Sequence, residues 1–422
     1  MRPERVQSAL TPPMGWNSWD CFGASVTEAE VLANARYLAE HLLPHGWNTV
    51  VVDIQWYEPS PGTHDYRSVS APVLDRWGRP QPAVTRFPSA EHDGFTALAE
   101  QVHALGLRFG VHLMRGVPRR AADQGLPILG STATCGDIAD RTNTCPWNPD
   151  NFGVDMSAVG AQAYYDSVLA QLASWGVDFV KLDDVLYPPI QADEIAAISR
   201  AIDTTGRPMT LSLSPGKQLS LKNLDLLRDT AQLWRISDDF WDDWEHLLEQ
   251  FQRAARWAPH QRPGAWADAD MLPLGRIGIR AHVGDDRQSR FTSAEQRTLM
   301  TLWCLLRSPL MFGGHLPDTT PQTLALLTNH EVLALLRSDS SREIVRDGNL
   351  VIWEAERDGT QWRAVFWLGA EPTIYSASPA DLGCPEWGEG RDVWGGELLS
   401  VVDGSLTLEL EAHGVRLLRF EA

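Results

Sequence analysis

The chain is poor in cysteine, in positive charge and in long apolar runs, and each shortage removes a class of protein. Five cysteines in 422 residues (Cys21, Cys135, Cys145, Cys304 and Cys384) are odd in number and form no CxxC pair. A dense disulfide framework and a zinc site are therefore not expected. Cys135 and Cys145 are close enough in sequence to pair, with buried free thiols as the alternative. Lysine and arginine total 36 against 55 acidic residues, a net charge of −19, with no basic run, so a nucleic-acid backbone would be repelled. No stretch reaches the roughly 18 apolar residues that a membrane-spanning helix needs. The opening MRPERVQSALTPP lacks the apolar segment of a secretory leader, and a cytoplasmic setting is expected. Nor is there a glycine-rich phosphate turn after the first strand, which argues against a doubly wound dinucleotide-binding sheet.

Tryptophan is abundant, with eighteen residues. Its flat apolar rings suit either a core or the C–H face of a sugar. The length exceeds what one core usually supports, so a large domain with a smaller companion is the natural expectation.

Short runs rich in Val, Ile and Leu alternate with helical patterns, the order of repeated βα units. The expected strands are Gly15–Trp19, Thr49–Asp53, Arg108–Met114, Phe179–Asp183, Met209–Ser214, Leu233–Ser237, Ala265–Asp268 and Pro309–Phe312. The intervening helices are expected over Thr27–His41, Gly94–Leu105, Ala158–Trp175, Ala192–Thr204, Leu221–Thr230, Asp242–Trp257 and Ser293–Leu306, with Pro321–Leu336 last. Eight strands each followed by a helix close an α/β (β/α)8 TIM barrel, here residues 1–338. After a short polar turn at Asp339–Ser341, alternating runs at Leu350–Trp353, Trp362–Trp367, Glu397–Val401, Ser405–Glu409 and Val415–Arg419 predict a C-terminal antiparallel β-sandwich domain over residues 339–422. That domain is expected to pack against and close the barrel; a carbohydrate-binding module is the alternative.

In a barrel, catalytic groups stand at the C-terminal ends of strands. Here those ends are acidic: Asp53, Asp183 with Asp184, Asp238 with Asp239, and Asp268 with Asp270. A single such aspartate is usually a helix cap, and Asp242 and Asp243 are given that role at the helix they open. Four acidic strand ends together point to carboxylates converging on one mouth, where mutual repulsion keeps one protonated and one ionised, as glycosidic cleavage requires. Lys181 shares a strand face with Asp183 and is expected to hold it ionised or to donate to sugar hydroxyls; a barrel-interior ion pair is the bland alternative.

The strings TPPMGWNSWD (Thr11–Asp20), VKLDD (Val180–Asp184), LWRISDDFWDDW (Leu233–Trp244) and WADADML (Trp266–Leu272) resemble glycoside hydrolase family 27, the family of α-galactosidases and α-N-acetylgalactosaminidases. The resemblance implies Asp183 as nucleophile and Asp239 as acid/base. It also implies Arg235, Lys181 and Asp270 on sugar hydroxyls, Trp16 lining the sugar subsite, and Asp53 as the first of two adjacent aspartates that read hydroxyls 4 and 6. The implied reaction is retaining hydrolysis of terminal α-linked galactose-type sugars by double displacement, with no metal and no cofactor. The expected partner is a glycoside or oligosaccharide; oligomeric state is left open.

The departures concern the sugar. The second aspartate is replaced by Ile54, and the cysteine that closes the strand-four motif by Val185. Strand three ends in His112-Leu113-Met114-Arg115. His112 is expected to donate to a hydroxyl, and Arg115 either to reach the aglycone or to pair with a mouth aspartate. Ser214 aligns with the small serine that makes room for an acetamide. α-Galactosidase is ranked first, with α-N-acetylgalactosaminidase and β-L-arabinopyranosidase as alternatives. A non-catalytic sugar-binding barrel and a metal-dependent barrel hydrolase are the readings from other classes.

Overall fold

The computed structural model describes residues 6–67, 70–384, 386 and 388–420. It divides into two compact units. The first comprises residues up to Asp239, Pro263–Gln288 and Leu310–Thr319; the second comprises Phe240–Arg262, Ser289–Pro309 and the chain from Thr320.

The first unit holds eight parallel strands: β1 (Met14–Asn17), β2 (Thr49–Val52), β3 (Arg108–Met114), β4 (Phe179–Asp183), β5 (Thr210–Leu213), β6 (Leu233–Arg235), β7 (Trp266–Asp268) and β8 (Leu310–Phe312). Their order is β7-β6-β5-β4-β3-β2-β1-β8. A parallel bridge between Leu272 and Phe312 brings the two edges together, with Leu272 N–H donating to Met311 O at 2.8 Å and Gly313 N–H to Leu272 O at 2.9 Å. The result is the (β/α)8 barrel that the sequence predicts, with the strands buried on both faces and therefore legible as continuous apolar runs. Gly15 is needed for close strand approach, because a Cβ there would stand 2.1 Å from Thr49 O on β2.

Local chemistry sets where the strands stop. β1 was expected to continue to Trp19, but the Asn17 side-chain oxygen accepts from the Trp19 N–H at 2.9 Å and turns the chain into a short helix, Trp19–Phe22. The next helix, Glu28–Tyr37, opens on a Thr27–Glu30 capping box. The sequence expectation has no counterpart for the segment between β3 and the helix Ala161–Ser174, where the pieces Val117–Pro118, Asn151–Val154 and Ala139–Thr144 form a small antiparallel sheet.

The second unit contains the helices Trp244–Trp257 and Ser293–Leu306 and two antiparallel sheets. Five strands (Ser340–Asp347, Leu350–Arg357, Thr360–Trp367, Val415–Phe420 and Gly390–Asp392) face three (Thr373–Ala377, Ser405–Leu410 and Val401–Val402) across a core that includes Ile352, Val365, Leu406, Leu408 and Leu418. This is the expected β-sandwich, with corrections: of the strand expected over Glu397–Val401 only Val401 is in a strand, Val401–Val402, and the strands Thr373–Ala377 and Gly390–Asp392 have no counterpart in the sequence expectation. The polar turn expected at Asp339–Ser341 instead opens a strand at Ser340, whose charged residues come in the adjacent pairs Arg342-Glu343 and Arg346-Asp347. The long helix expected over Pro321–Leu336 is broken, because Asn329 accepts from the N–H groups of Glu331 and Val332 and caps a new helix. Asp243 caps Trp244–Trp257 through the Glu245 N–H, as expected, and Asp242 accepts from the Arg290 N–H.

Candidate active site

The carboxylates at the strand ends converge. At the end of β2, Asp53 receives the Lys181 ammonium of β4 at 2.7 Å and the Asn17 amide of β1 at 2.7 Å, both on Oδ2. Burial would push its carboxyl up, but the Lys181 charge, assisted by His112 and Asn17, holds it below the usual range. Lys181 is pushed the other way: Asp53 and Asp183 outweigh burial and raise it. The Lys181 ammonium is thus paired with Asp53, and its charge also acts on Asp183.

Asp183, at the end of β4, is bounded on three sides. His112 Nε2 lies 3.1 Å from its Oδ2; the Asp184 N–H donates to its Oδ1 at 2.8 Å, and the Ser214 hydroxyl of the β5 end reaches the same oxygen at 3.3 Å. Burial opposes ionisation, but the hydrogen bond and charge of His112, then Lys181, then the Asp184 N–H overcome it and hold Asp183 well below the usual carboxylate range. Asp183 is therefore held as an ionised carboxylate.

Arg235 on β6 is a buried clamp between two carboxylates, 2.9 Å from Asp239 and 2.7 Å from Asp270. Asp239 is the open member, its side chain 53% exposed. Behind it, burial and then the Asp270 charge push Asp268 up to about 6. Two residues of the constellation, Asp184 (φ 61) and Asp270 (φ 86), occupy the left-handed region although neither is glycine. In each case the turned backbone N–H lands on a carboxylate one or two residues earlier, Asp184 N–H on Asp183 Oδ1 and Asp270 N–H on Asp268 Oδ1, both at 2.8 Å. Strained backbone of this kind, at ~1–3 kcal/mol per residue, gathers at sites that must hold a fixed geometry.

Three residues expected on the sugar are buried among protein groups. Trp16 is wholly buried, its indole N–H bonded to Gly314 O at 2.8 Å. His112 is wholly buried and reaches Asp183 instead of open space. Arg115 realises the second of its two expected roles: it pairs with Asp184 at 2.8 Å and Glu194 at 3.0 Å and donates to Asp184 O and Asn143. The buried thiols of Cys135 and Cys145 are free. Among the described residues no His, Cys, Asp and Glu cluster is arranged to hold a metal ion.

Sequence reasoning missed two groups at this mouth. Asp20 was read only as the end of a signature string. It is buried, its carboxyl is pushed well up by burial and by the charges of Asp270 and Asp239, and its Oδ2 has no hydrogen-bond partner among the described residues. Tyr66 belongs to an unpatterned loop after β2. It stacks on Trp19 with ring centroids 5.4 Å apart, and burial followed by the charges of Asp183, Asp239 and Asp53 raises its phenol. One side chain that feels both candidate catalytic charges is a sign that they share a pocket.

The family model described as alpha galactosidase A matches residues 149–338. A β-L-arabinopyranosidase from Geobacillus stearothermophilus, solved in complex with arabinose, is 48% identical over 99% of both chains with a TM-score of 0.96. The chain belongs to glycoside hydrolase family 27. A family member from Bacillus halodurans described as a putative α-N-acetylgalactosaminidase is 44% identical over 98% of both chains, with a TM-score of 0.87. Alpha-galactosidase 2 of Arabidopsis thaliana is 25% identical over 97% of this chain and 89% of its own length. As a family 27 glycoside hydrolase, the protein acts on glycosides. Among the described residues, no helix is long and apolar enough to cross a membrane.

Proposed function

We propose that the protein is a retaining β-L-arabinopyranosidase with Asp183 as nucleophile and Asp239 as acid/base. The ionised, hydrogen-bonded state of Asp183 suits attack on the anomeric carbon, and the solvent-facing Asp239 suits proton delivery to a leaving oxygen. In the first step, Asp183 bonds to the anomeric carbon as the glycosidic bond breaks and Asp239 gives its proton to the departing oxygen. In the second, Asp239 takes a proton from water, which displaces Asp183 with the original configuration restored. Asp53, Lys181, Arg235 and Asp270 are the charged groups available to ring hydroxyls.

The observation that carries the choice of sugar is Ile54. It is buried directly after Asp53, with its backbone N–H turned onto Asp53 Oδ1 at 2.9 Å. An apolar side chain there offers no acceptor to the C6 hydroxyl of galactose, and a buried hydroxyl without a partner costs about 1–3 kcal/mol. Arabinopyranose has galactose stereochemistry around the ring and no C6 group, so nothing is left unpaired. This reverses the order expected from sequence, in which α-galactosidase came first; the likeness to the Geobacillus enzyme supports the reversal. Ser214 gives less support to the acetamido sugar, since its hydroxyl is turned onto Asp183.

Parallel assays on the p-nitrophenyl β-L-arabinopyranoside, α-galactoside and α-N-acetylgalactosaminide test the reading. We expect kcat/KM for the arabinopyranoside to exceed that for the galactoside by at least about tenfold, the value of one unpaired buried hydroxyl. A preference for either of the other two sugars would overturn it.

A further inference from the structure

The turn that carries the small sheet between β3 and helix Ala161–Ser174 places a half-exposed tryptophan, Trp147, at the mouth. Its neighbours are anchored. Cys145 is buried with its thiol on the Asp184 carboxyl, Asn148 is wholly buried, and Asp150 accepts from Gln55 Nε2 and the Tyr57 hydroxyl at 2.7 Å each. A large aromatic ring left half in solvent on a turn pinned at both ends is not explained by core packing.

Trp147 meets the edge of a second half-exposed ring, Tyr187, with centroids 5.4 Å apart at 66°. The Tyr187 hydroxyl donates to Asp238, the residue before the acid/base candidate. Burial, then the bond to Asp238 and the charges of Asp238 and Asp239, push this phenol up, so Tyr187 lies within the field of Asp239. The acid/base must touch the oxygen of the leaving group, and whatever is attached to that oxygen lies beside it.

We propose that Trp147 and Tyr187 form the aglycone subsite, and that it takes a sugar ring whose C–H face stacks on Trp147. The inference rests on the assignment of Asp239 as acid/base and is independent of which sugar occupies the cleavage site. The neighbouring carboxylates favour a neutral, hydroxyl-rich ring over an anionic one.

The test compares leaving groups on one and the same glycosyl unit, whichever sugar the wild-type enzyme turns over best. Trp147→Ala should lower kcat/KM on a disaccharide or trisaccharide about tenfold, the value of one aromatic stack. On the glycosyl fluoride, whose leaving group has no ring, kcat/KM should stay within about twofold. The yield of transfer to an added disaccharide acceptor, relative to hydrolysis, should fall in step, and Trp147→Phe should restore most of both. Equal losses on fluoride and disaccharide, or no loss on the disaccharide, would overturn the proposal. A loss confined to aryl glycosides would overturn the commitment to a sugar. Because the glycosyl unit is constant, an error in the proposed sugar specificity cannot produce any of these patterns.

Discussion

His112 of β3 and Asp183 of β4 meet on adjacent strands, Nε2 to Oδ2 at 3.1 Å, and the imidazole is wholly buried. An ionised carboxylate only accepts hydrogen bonds, so Nε2 carries the proton in this pair. The imidazole is the largest influence holding Asp183 ionised against its burial.

Replacing His112 by alanine should therefore act through Asp183. A hydrogen bond to a charged group is worth ~1.5–3 kcal/mol, so kcat/KM should fall by about 10- to 100-fold. The sign for pH follows from the direction of the shift. Asp183 must be ionised to attack and is held low; without His112 it titrates higher, so the acid limb of the kcat/KM profile moves to higher pH. A limb that stays in place would mean that His112 only supports packing.

The two carboxylates should separate by their response to leaving group and azide. Asp239→Ala should lose about 10²–10⁴-fold on glycosides with poor leaving groups and much less on activated aryl glycosides. Azide should restore its rate and yield the glycosyl azide of retained configuration. Asp183→Ala should lose turnover on both substrate types. If the two variants exchange these behaviours, the assignment is inverted.

Arg115 makes a prediction about stability. It neutralises Asp184 and Glu194 in a buried site, and removing one partner of such a network costs about 3–5 kcal/mol. Arg115→Met should lower the unfolding free energy from urea titrations by that amount, and Arg115→Lys should recover little because an ammonium cannot reproduce the fork. A raised KM with unchanged stability would instead indicate contact with substrate.

Asp268 links stability to pH. Its folded-state carboxyl is pushed up to about 6 from the ordinary 3.8. The stability it contributes is thus fully present below about pH 4 and lost as pH rises through about 6, on the order of 3 kcal/mol in all. Asp268→Asn keeps an oxygen for the Asp270 N–H and cannot titrate. Its unfolding free energy should fall less than that of the wild type between pH 4 and 7 in urea titrations; parallel curves would contradict the assignment.

The barrel was legible because its parallel strands are buried on both faces, so they read as apolar runs, four of them closed by a carboxylate, as Thr49–Val52 is by Asp53. The strand Ser340–Asp347 was not, since the charges in SSREIVRD mask its alternation. The sheet spanning Val117–Val154 was hidden for a related reason: its pieces pair only with one another, and Ala139–Thr144 has no apolar face. At the site, the type and order of the charged residues were readable. Depth was not: the same string that identifies Trp16 gives no sign that its indole is spent on Gly314 O, 298 residues away. Tyr66 and Trp147 sit on unpatterned loops whose placement depends on tertiary anchors such as Asp150.

The measurement that bears most directly on the central claim is the ratio of kcat/KM for the p-nitrophenyl β-L-arabinopyranoside to that for the α-galactoside, in the wild type and in Ile54→Asp. If Ile54 sets the sugar, the ratio should fall by at least about tenfold in the variant, through gain on the galactoside as well as loss on the arabinopyranoside. An unchanged ratio would place the discrimination elsewhere and contradict the account.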